Sequence, residues 1–557
     1  MFRTAKPWVR VYEGHASPET EVFEGSLTDF FRLSVEEHRE KTALTFYGTT
    51  FTFERLEALV DKMAASLAAR GVKKGDRVAL MLPNCPQYVI SFFATVRLGA
   101  IVTQLNPMYV EREIEHILRD SGAETIVVYS DMYPRVKAVL PETSLRDVVV
   151  VDLKGEPEAL EAGHVSFGNL LAEDAEPAPS VEINPVEDVA VFQYTGGTTG
   201  VSKGAMLTHR NLVANVQQTL DLFVDDPAAF SNNQKIMALL PFFHIYGLTC
   251  VMLFGIRQGL NQILVPRFDA AEVMNLVKSE TPVMFAGVPT MYMALHASGA
   301  DLREYGFHKV RTYNSGGAAM PVNLRHAFEK KIGRPVYEGY GLSEASPVTH
   351  FNPPFTGSSR DASIGVPIPS TDARIVDVET GEQEVPVGES GELVIRGPQV
   401  MKGYWNMPGE TQKTLKGGWL YTGDVARMDD EGYFYIVDRK KDMIVASGYN
   451  VYPREIEEVL FEHPDVAEGV AVGIPDEYRG ESVKAFVVRR PGSDVTEEEI
   501  LAFCKDRLAP YKSPKTVEFR DELPKSTVGK LLRRVLADEE KAKTTVPSPA
   551  ETPPAQG

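Results

Sequence analysis

The sequence predicts an α/β protein: a large N-terminal domain of several layered α/β subdomains with a β-barrel-like unit (1–440), a small α+β domain (441–540) and a disordered tail (541–557). Three observations lead there. Short helix and strand patterns alternate through the first half, which favours a layered sheet with helices on both faces. From about Ser363 to Gly397 the pattern changes to alternating stretches between Gly/Pro turns, as in a small antiparallel β unit. After Lys441 a helix, two strands and a second helix follow one another closely.

The elements read in order. Leu56, Leu59, Val60, Met63 and Leu67 recur at helical spacing, and Gly71 follows as a stop. Residues 76–82 form a buried strand pattern. A second helix–strand unit covers 86–98 and continues into Ile101 and Val102; a third pairs a helix at 113–119 with a strand at 125–129. The acidic, Pro/Ala-rich segment 156–185 reads as a surface connection before a strand at 188–194. Strand patterns recur at 372–377 and 392–396. Beyond Lys441 the helices fall at 453–462 and 497–508, with strands at 466–472 and 483–488. The Pro-rich end is too poor in apolar residues to fold.

The bulk numbers exclude several classes. A 557-residue chain is too long for one core. A net charge of −19 argues against nucleic acid as a partner, because phosphate backbones are met by a basic face. Three scattered cysteines, Cys85, Cys250 and Cys504, give neither a disulfide framework nor metal-ligand spacing, and fit a reducing, cytoplasmic setting. The N-terminus carries no secretory leader pattern. No stretch approaches the ~18 apolar residues of a membrane span, the best being 248–256, stopped by Arg257.

The strongest chemical signal is Tyr194-Thr-Gly-Gly-Thr-Thr-Gly-Val-Ser-Lys-Gly204, preceded by a strand pattern and followed by a helix pattern from His209. Gly196, Gly197 and Gly200 let backbone N–H groups approach phosphate oxygens. Thr195, Thr198, Thr199 and Ser202 add hydroxyls, and Lys203 adds a cation. The loop is not a Walker A motif: Lys203 follows Ser202 rather than Gly and precedes Gly204 rather than Ser or Thr.

At this loop the chain resembles the adenylate-forming superfamily of acyl-CoA synthetases, adenylation domains and luciferases. Seven further motifs follow in the family's order: Pro241-Phe-Phe-His-Ile-Tyr-Gly247, Asn314-Ser-Gly-Gly-Ala-Ala-Met-Pro321, Tyr337-Glu-Gly-Tyr-Gly-Leu-Ser-Glu344, Gly391-Glu-Leu-Val-Ile-Arg-Gly397, Tyr421-Thr-Gly-Asp424, Asp438-Arg-Lys-Lys-Asp442 and Leu523-Pro-Lys-Ser-Thr-Val-Gly-Lys530. The resemblance covers residues 25–540, and the first motif, continuing into Ala205-Met-Leu-Thr-His-Arg-Asn211, is most similar to bacterial long-chain fatty acid–CoA ligases.

The resemblance implies the roles. ATP is held by Thr195–Gly200, Lys203, Gly317, Ala318, Glu338, Gly339, Tyr340 as the adenine platform, and Ser343, where the family usually has Thr. Glu344 with Thr195 holds magnesium. Asp424 accepts from the ribose hydroxyls with Arg439 beside it, and Lys530 is the transition-state cation. His244 gates the channel for coenzyme A, which Gly448 also borders. Tyr246, Gly287, Val288, Gly341 and Ala345 line the acyl pocket. Lys441 is the hinge of a mobile C-terminal domain.

The reaction so implied joins a fatty acid to coenzyme A with ATP and magnesium, through an acyl-adenylate, releasing pyrophosphate and AMP. A medium-chain or aryl-CoA ligase and a free-standing amino-acid adenylation domain are the rival enzymes; a binding protein that has lost catalysis is the rival outside catalysis. The reading leaves open a homodimer and peripheral contact with the inner face of the membrane.

Overall fold

The computed structural model describes residues 6–155, 157, 160–195, 202–223, 234–446, 449–476, 480–526 and 531–545. The chain divides into two compact units. The first is Met1–Arg374, Val394–Thr422 and Met428–Tyr435; the second is Ile375–Leu393, Gly423–Arg427 and Ile436–Gly557. The main run of the second unit thus begins upstream of residue 441, where the sequence placed the boundary. Local bonds explain the difference: the Ile436 carbonyl accepts from the Arg454 guanidinium, and the Asp438 carboxylate accepts from the Arg454 amide.

Among the described residues, the first unit contains an eight-stranded sheet. Its order is Gly403–Tyr404, Lys203–Thr208, Val189–Thr195, Ile101–Gln104, Arg77–Met81, Thr125–Tyr129, Asp147–Val151 and Val165–Ser166. The strands from Val189–Thr195 onward are parallel, and the first two are antiparallel additions at one edge. Runs such as Val148–Val151 are buried throughout, as parallel strands covered on both faces require. Helix Phe53–Ala69 buries Leu56, Leu59, Val60, Met63 and Leu67, the stripe read from the sequence, and Gly71 follows it at φ +93°. The Thr52 hydroxyl accepts from the Arg55 amide at its start, a cap contributing about 1 kcal/mol.

The segment 156–185 is not wholly a connection. It contains edge strand Val165–Ser166 and helix Phe167–Ala172, because Phe167 and Leu170 find a buried face under the sheet. A nine-stranded sheet in the same unit runs Val366–Pro367, Val348–Phe351, Val336–Gly341, Thr312–Ser315, Met284–Gly287, Lys235–Ala238, Asn261–Leu264, Thr42–Phe46 and Thr49–Thr52. Residues 245–257 are a buried helix with a π-helical middle, Leu248–Leu253. No helix among the described residues is long and apolar enough to cross a membrane.

The antiparallel β unit extends beyond the expected 363–397: Asp372–Val376 and Gly391–Arg396 are joined in one sheet by Trp419–Met428, Leu415–Lys416 and Phe434–Arg439. The C-terminal sheet runs Tyr449–Val451, Ile444–Ala446, Gly480–Arg489 and Val466–Asp476, with Thr516–Phe519 parallel to Gly480–Arg489. Helices Pro453–Glu462 and Glu497–Lys505 supply Ile456, Leu460, Ile500 and Cys504 to its core. The last helix, Arg533–Thr545, runs past residue 541, where the tail was expected to begin; 546–557 lie outside the described residues. All three cysteines are buried and unpaired with one another.

Candidate active site

Strand Val189–Thr195 returns as Lys203–Thr208, with Thr195 opposite Lys203 and Tyr194 opposite Gly204. Among the described residues the two strands are the antiparallel arms of a hairpin, and helix His209–Leu220 starts only after the second strand. Gly196, Gly197, Thr198, Thr199 and Gly200 lie outside the described residues. The base of the hairpin is firmly held. The Ser202 hydroxyl donates to the Thr195 carbonyl at 2.8 Å, and the Tyr194 phenol donates to Asp120 Oδ2 at 2.6 Å. Burial and the Asp120 carboxylate keep that phenol protonated, pushing it far above its usual range. A Cβ at position 204 would meet the Tyr194 ring at 3.1 Å, a tight contact that any larger residue would have to relieve by shifting the ring.

Lys203 emerges from this hairpin and donates to Glu410 Oε2 at 2.5 Å, with its side chain only 16% exposed. Lys203 and then Lys413 hold the Glu410 carboxyl down at about 2. The cation assigned to phosphate by the sequence thus has a resident carboxylate partner.

Strand Val336–Gly341 carries the next group. Its Glu338 is buried, and Oε2 accepts from the Met320 amide at 2.9 Å, which fixes the Gly316-Gly317-Ala318 turn beside it. Gly317 sits at φ +78°, a conformation that favours glycine. Tyr340 lies opposite His350 in the sheet, ring centroids 6.0 Å apart. Gly341 approaches the Pro347 carbonyl too closely for any side chain. The chain then turns through Ser343–Ala345, where Ala345 is buried and Glu344 half-buried. Glu344 Oε1 accepts from the Tyr404 phenol at 2.8 Å, and the Glu344 carbonyl accepts from the Met401 amide at 2.8 Å.

His244 caps the start of the 245–257 helix, its Nδ1 accepting from the Tyr246 amide at 3.2 Å. The Tyr246 ring packs against Gly316, where a Cβ would meet it at 3.2 Å. Of the acyl-pocket candidates, Gly287 ends strand Met284–Gly287 and Val288 follows it. A Cβ at Gly287 would meet the Phe285 and Tyr292 rings at 3.2 Å, and Val288 is buried. The structure therefore brings Tyr246, Gly316 and Gly317 together, with Val288 Cγ1 3.6 Å from where a Gly317 side chain would begin.

In the second unit, Asp424 and Arg439 pair at 3.5 Å, with side chains 13% and 39% exposed respectively. Lys441 lies in the turn after Phe434–Arg439. Partial loss of solvation, then the Arg439 charge, lowers its ammonium to about 8. Gly448 and Lys530 lie outside the described residues.

Residues 31–405 match the family described as AMP-binding enzyme, and 455–530 match its C-terminal domain. The chain belongs to the AMP-binding enzyme family. It is 43% identical to a long-chain-fatty-acid–CoA ligase of Bacillus subtilis, covering 97% of this chain and 99% of that one. ATP-bound MatB from Rhodopseudomonas palustris superposes with a TM-score of 0.84 at 30% identity, over 92% of this chain and 99% of that one. An anthranilate CoA ligase in complex with anthranoyl-AMP gives 0.84 at 27% identity, over 94% and 98%. The adenylate-forming resemblance and the fold read from the motifs are both borne out.

Among the described residues of this AMP-binding enzyme, no group of three or more His, Cys, Asp or Glu is arranged to hold a metal ion. Glu344 offers one half-buried oxygen-donor carboxylate, a donor type that suits magnesium, which takes its other ligands from phosphate and water. Two residues escaped the sequence reading. Tyr404 lies on a two-residue strand with only the Gly-Tyr-Trp run to mark it. Arg533 read as part of a solvated basic run, yet its guanidinium is paired with Glu457 at 2.8 Å, Asp442 at 3.1 Å and Asp438 at 3.2 Å.

Proposed function

We propose that the chain is an ATP-dependent long-chain fatty acid–CoA ligase, AMP-forming, working through an acyl-adenylate. The observation that carries this reading is the near end-to-end likeness to the Bacillus subtilis long-chain-fatty-acid–CoA ligase. The first step has a carboxylate oxygen attack the α-phosphorus of ATP; a new P–O bond forms and pyrophosphate leaves. In the second, the thiol of coenzyme A attacks the acyl carbonyl, loses its proton, and AMP leaves.

Both reactants of the first step are anionic, and the chain carries −19 overall, so local groups must offset the repulsion. Thr195, the glycine-rich segment and Lys203 bind the phosphates; Lys203 exchanges Glu410 for phosphate as ATP enters. Glu344 and Thr195 hold magnesium, which when bound neutralises phosphate charge. Tyr340, with Gly317 and Ala318, holds the adenine, and Asp424 with Arg439 holds the ribose. A half-exposed ion pair contributes at most ~1 kcal/mol to stability. Its placement is therefore better explained by the hydroxyls a carboxylate can accept from than by stability. Lys530 offsets charge during the attack. Lys441 is the hinge, His244 and Gly448 border the coenzyme A channel, and Tyr246, Val288 and Ala345 border the acyl pocket.

Each buried CH₂ contributes ~0.8 kcal/mol, so efficiency should climb with chain length until the pocket is full. The test is AMP formation dependent on coenzyme A, across C2 to C18 acids, aryl acids and amino acids. An optimum at acetate, benzoate or an amino acid overturns the long-chain reading.

A further inference from the structure

The two-residue strand Gly403–Tyr404 sits beside the phosphate hairpin, with Tyr404 opposite Ala205. Its backbone is pinned from both sides. Trp405 N donates to the Gly204 carbonyl at 2.8 Å and Lys402 N to the Met206 carbonyl at 2.9 Å. Tyr404 N donates to the Thr411 hydroxyl at 2.9 Å. Gly403, at φ +145°, leaves no space for a side chain, because a Cβ would sit 2.7 Å from Thr411 Cγ2. Trp405 donates its indole N–H to the Asp120 carbonyl at 2.9 Å, and its ring lies 4.9 Å from Phe192 on the first hairpin strand.

This rigid frame aims one functional group. The Tyr404 side chain is buried beneath the Lys203 ammonium, which lies 5.3 Å over the ring. Its phenol donates to Glu344 Oε1 at 2.8 Å. A hydrogen bond of an O–H to a carboxylate is charge-assisted and sets the acceptor's orientation. Second contacts of this kind orient metal ligands and tune the affinity of the site.

We propose that Tyr404 is a positioning residue for adenylation: it holds Glu344 by Oε1, leaves the lone pairs of Oε2 for the divalent cation of the nucleotide complex, and couples that orientation to the phosphate hairpin. The inference rests on the reading of Glu344 as the metal ligand. It adds a residue that touches neither nucleotide nor fatty acid and acts through the carboxylate alone.

The experiment measures Mn²⁺ binding to the full-length enzyme with saturating ATP, fatty acid and coenzyme A omitted, by electron paramagnetic resonance of free Mn²⁺. Wild type, Tyr404→Phe, Glu344→Ala and the double variant are compared, with ATP affinity in EDTA as the control. Loss of one hydrogen bond to a charged group should weaken Mn²⁺ about tenfold in Tyr404→Phe. ATP affinity in EDTA should stay at the wild-type value. Tyr404→Phe should add nothing in the Glu344→Ala background. Wild-type Mn²⁺ affinity in Tyr404→Phe, with Glu344→Ala weakened, overturns the positioning role and leaves the metal reading standing. An equal loss of ATP affinity in EDTA, or additive losses in the double variant, also overturns it. Unchanged Mn²⁺ affinity in Glu344→Ala overturns both.

Discussion

Lowering the pH should destabilise the first unit steeply, and His350 should carry a separable share of the effect. His350 is fully buried on strand Val348–Phe351, opposite Tyr340. Thr349 Oγ1 lies 3.0 Å from its Nδ1, and the Phe434 and Tyr340 rings flank it at 4.6 and 6.0 Å. No water can solvate an imidazolium there, and burial lowers its pKa from 6.5 to about 3. In the unfolded chain the same histidine takes up a proton as pH falls through 6.5. Between that value and about 3 the unfolded state therefore binds the extra proton. Stability from the neutral ring is present above pH 6.5 and is lost on acidification, at about 1.4 kcal/mol per pH unit. From pH 6.5 to 5 the loss is about 2 kcal/mol. His209, also buried and lowered to about 4, gives a parallel loss that is common to both proteins compared. His350→Asn removes the titration while keeping a polar group near Thr349. The assay is urea unfolding at pH 7, 6 and 5, followed by tryptophan fluorescence. Trp8, Trp405 and Trp419 are the chain's three tryptophans and all lie in the first unit, so the signal reports that unit. Whatever its stability at pH 7, His350→Asn should lose about 2 kcal/mol less than wild type on going to pH 5. Equal losses in the two proteins would refute the reasoning, because His350 would then titrate as freely in the folded state as in the unfolded.

Two further outcomes concern the second unit. Lys530→Ala should slow adenylation by ~10²–10³-fold, the scale of losing one electrostatic stabiliser, while thioester formation from supplied acyl-adenylate stays within about tenfold; single-turnover kinetics of each half-reaction checks this, and equal slowing would make the lysine structural or shared. Lys441→Pro should impair the thioester step more than adenylation, because proline fixes φ at the proposed hinge, and equal loss in both steps would remove the hinge role.

The sequence was most legible where local pattern and tertiary demand coincide. The buried β-branched run at Thr125–Tyr129 reads as a strand and is one, with the same bounds. Strand Lys203–Thr208 did not read as one. Its Gly204-Ala205 start has low strand propensity, and pairing with Val189–Thr195 and Gly403–Tyr404 supplies the order that propensity lacks. The 165–172 elements were hidden the same way, inside a composition typical of loops, until the sheet offered Phe167 and Leu170 a covered face.

The candidate site divides along the same line. The residue types that the proposed chemistry uses are local information, since a carboxylate, a lysine and a glycine-rich run announce themselves. How they are aimed is not. Glu344 is oriented by a tyrosine 60 residues away, and Arg533 reaches Asp438 across 95. Nothing in the neighbourhood of Tyr404 or Arg533 distinguishes an orienting group from a core aromatic or a surface cation. The distinction lies in burial beside a carboxylate, which only the folded chain creates. The Arg533 case has an energetic corollary. A guanidinium among three carboxylates leaves them mutually repelling once it is gone, and breaking a buried ion cluster typically costs 3–5 kcal/mol. The guanidinium clasps the start of helix Arg533–Thr545 to Asp438 and Asp442, the two ends of the motif that contains Arg439 and Lys441.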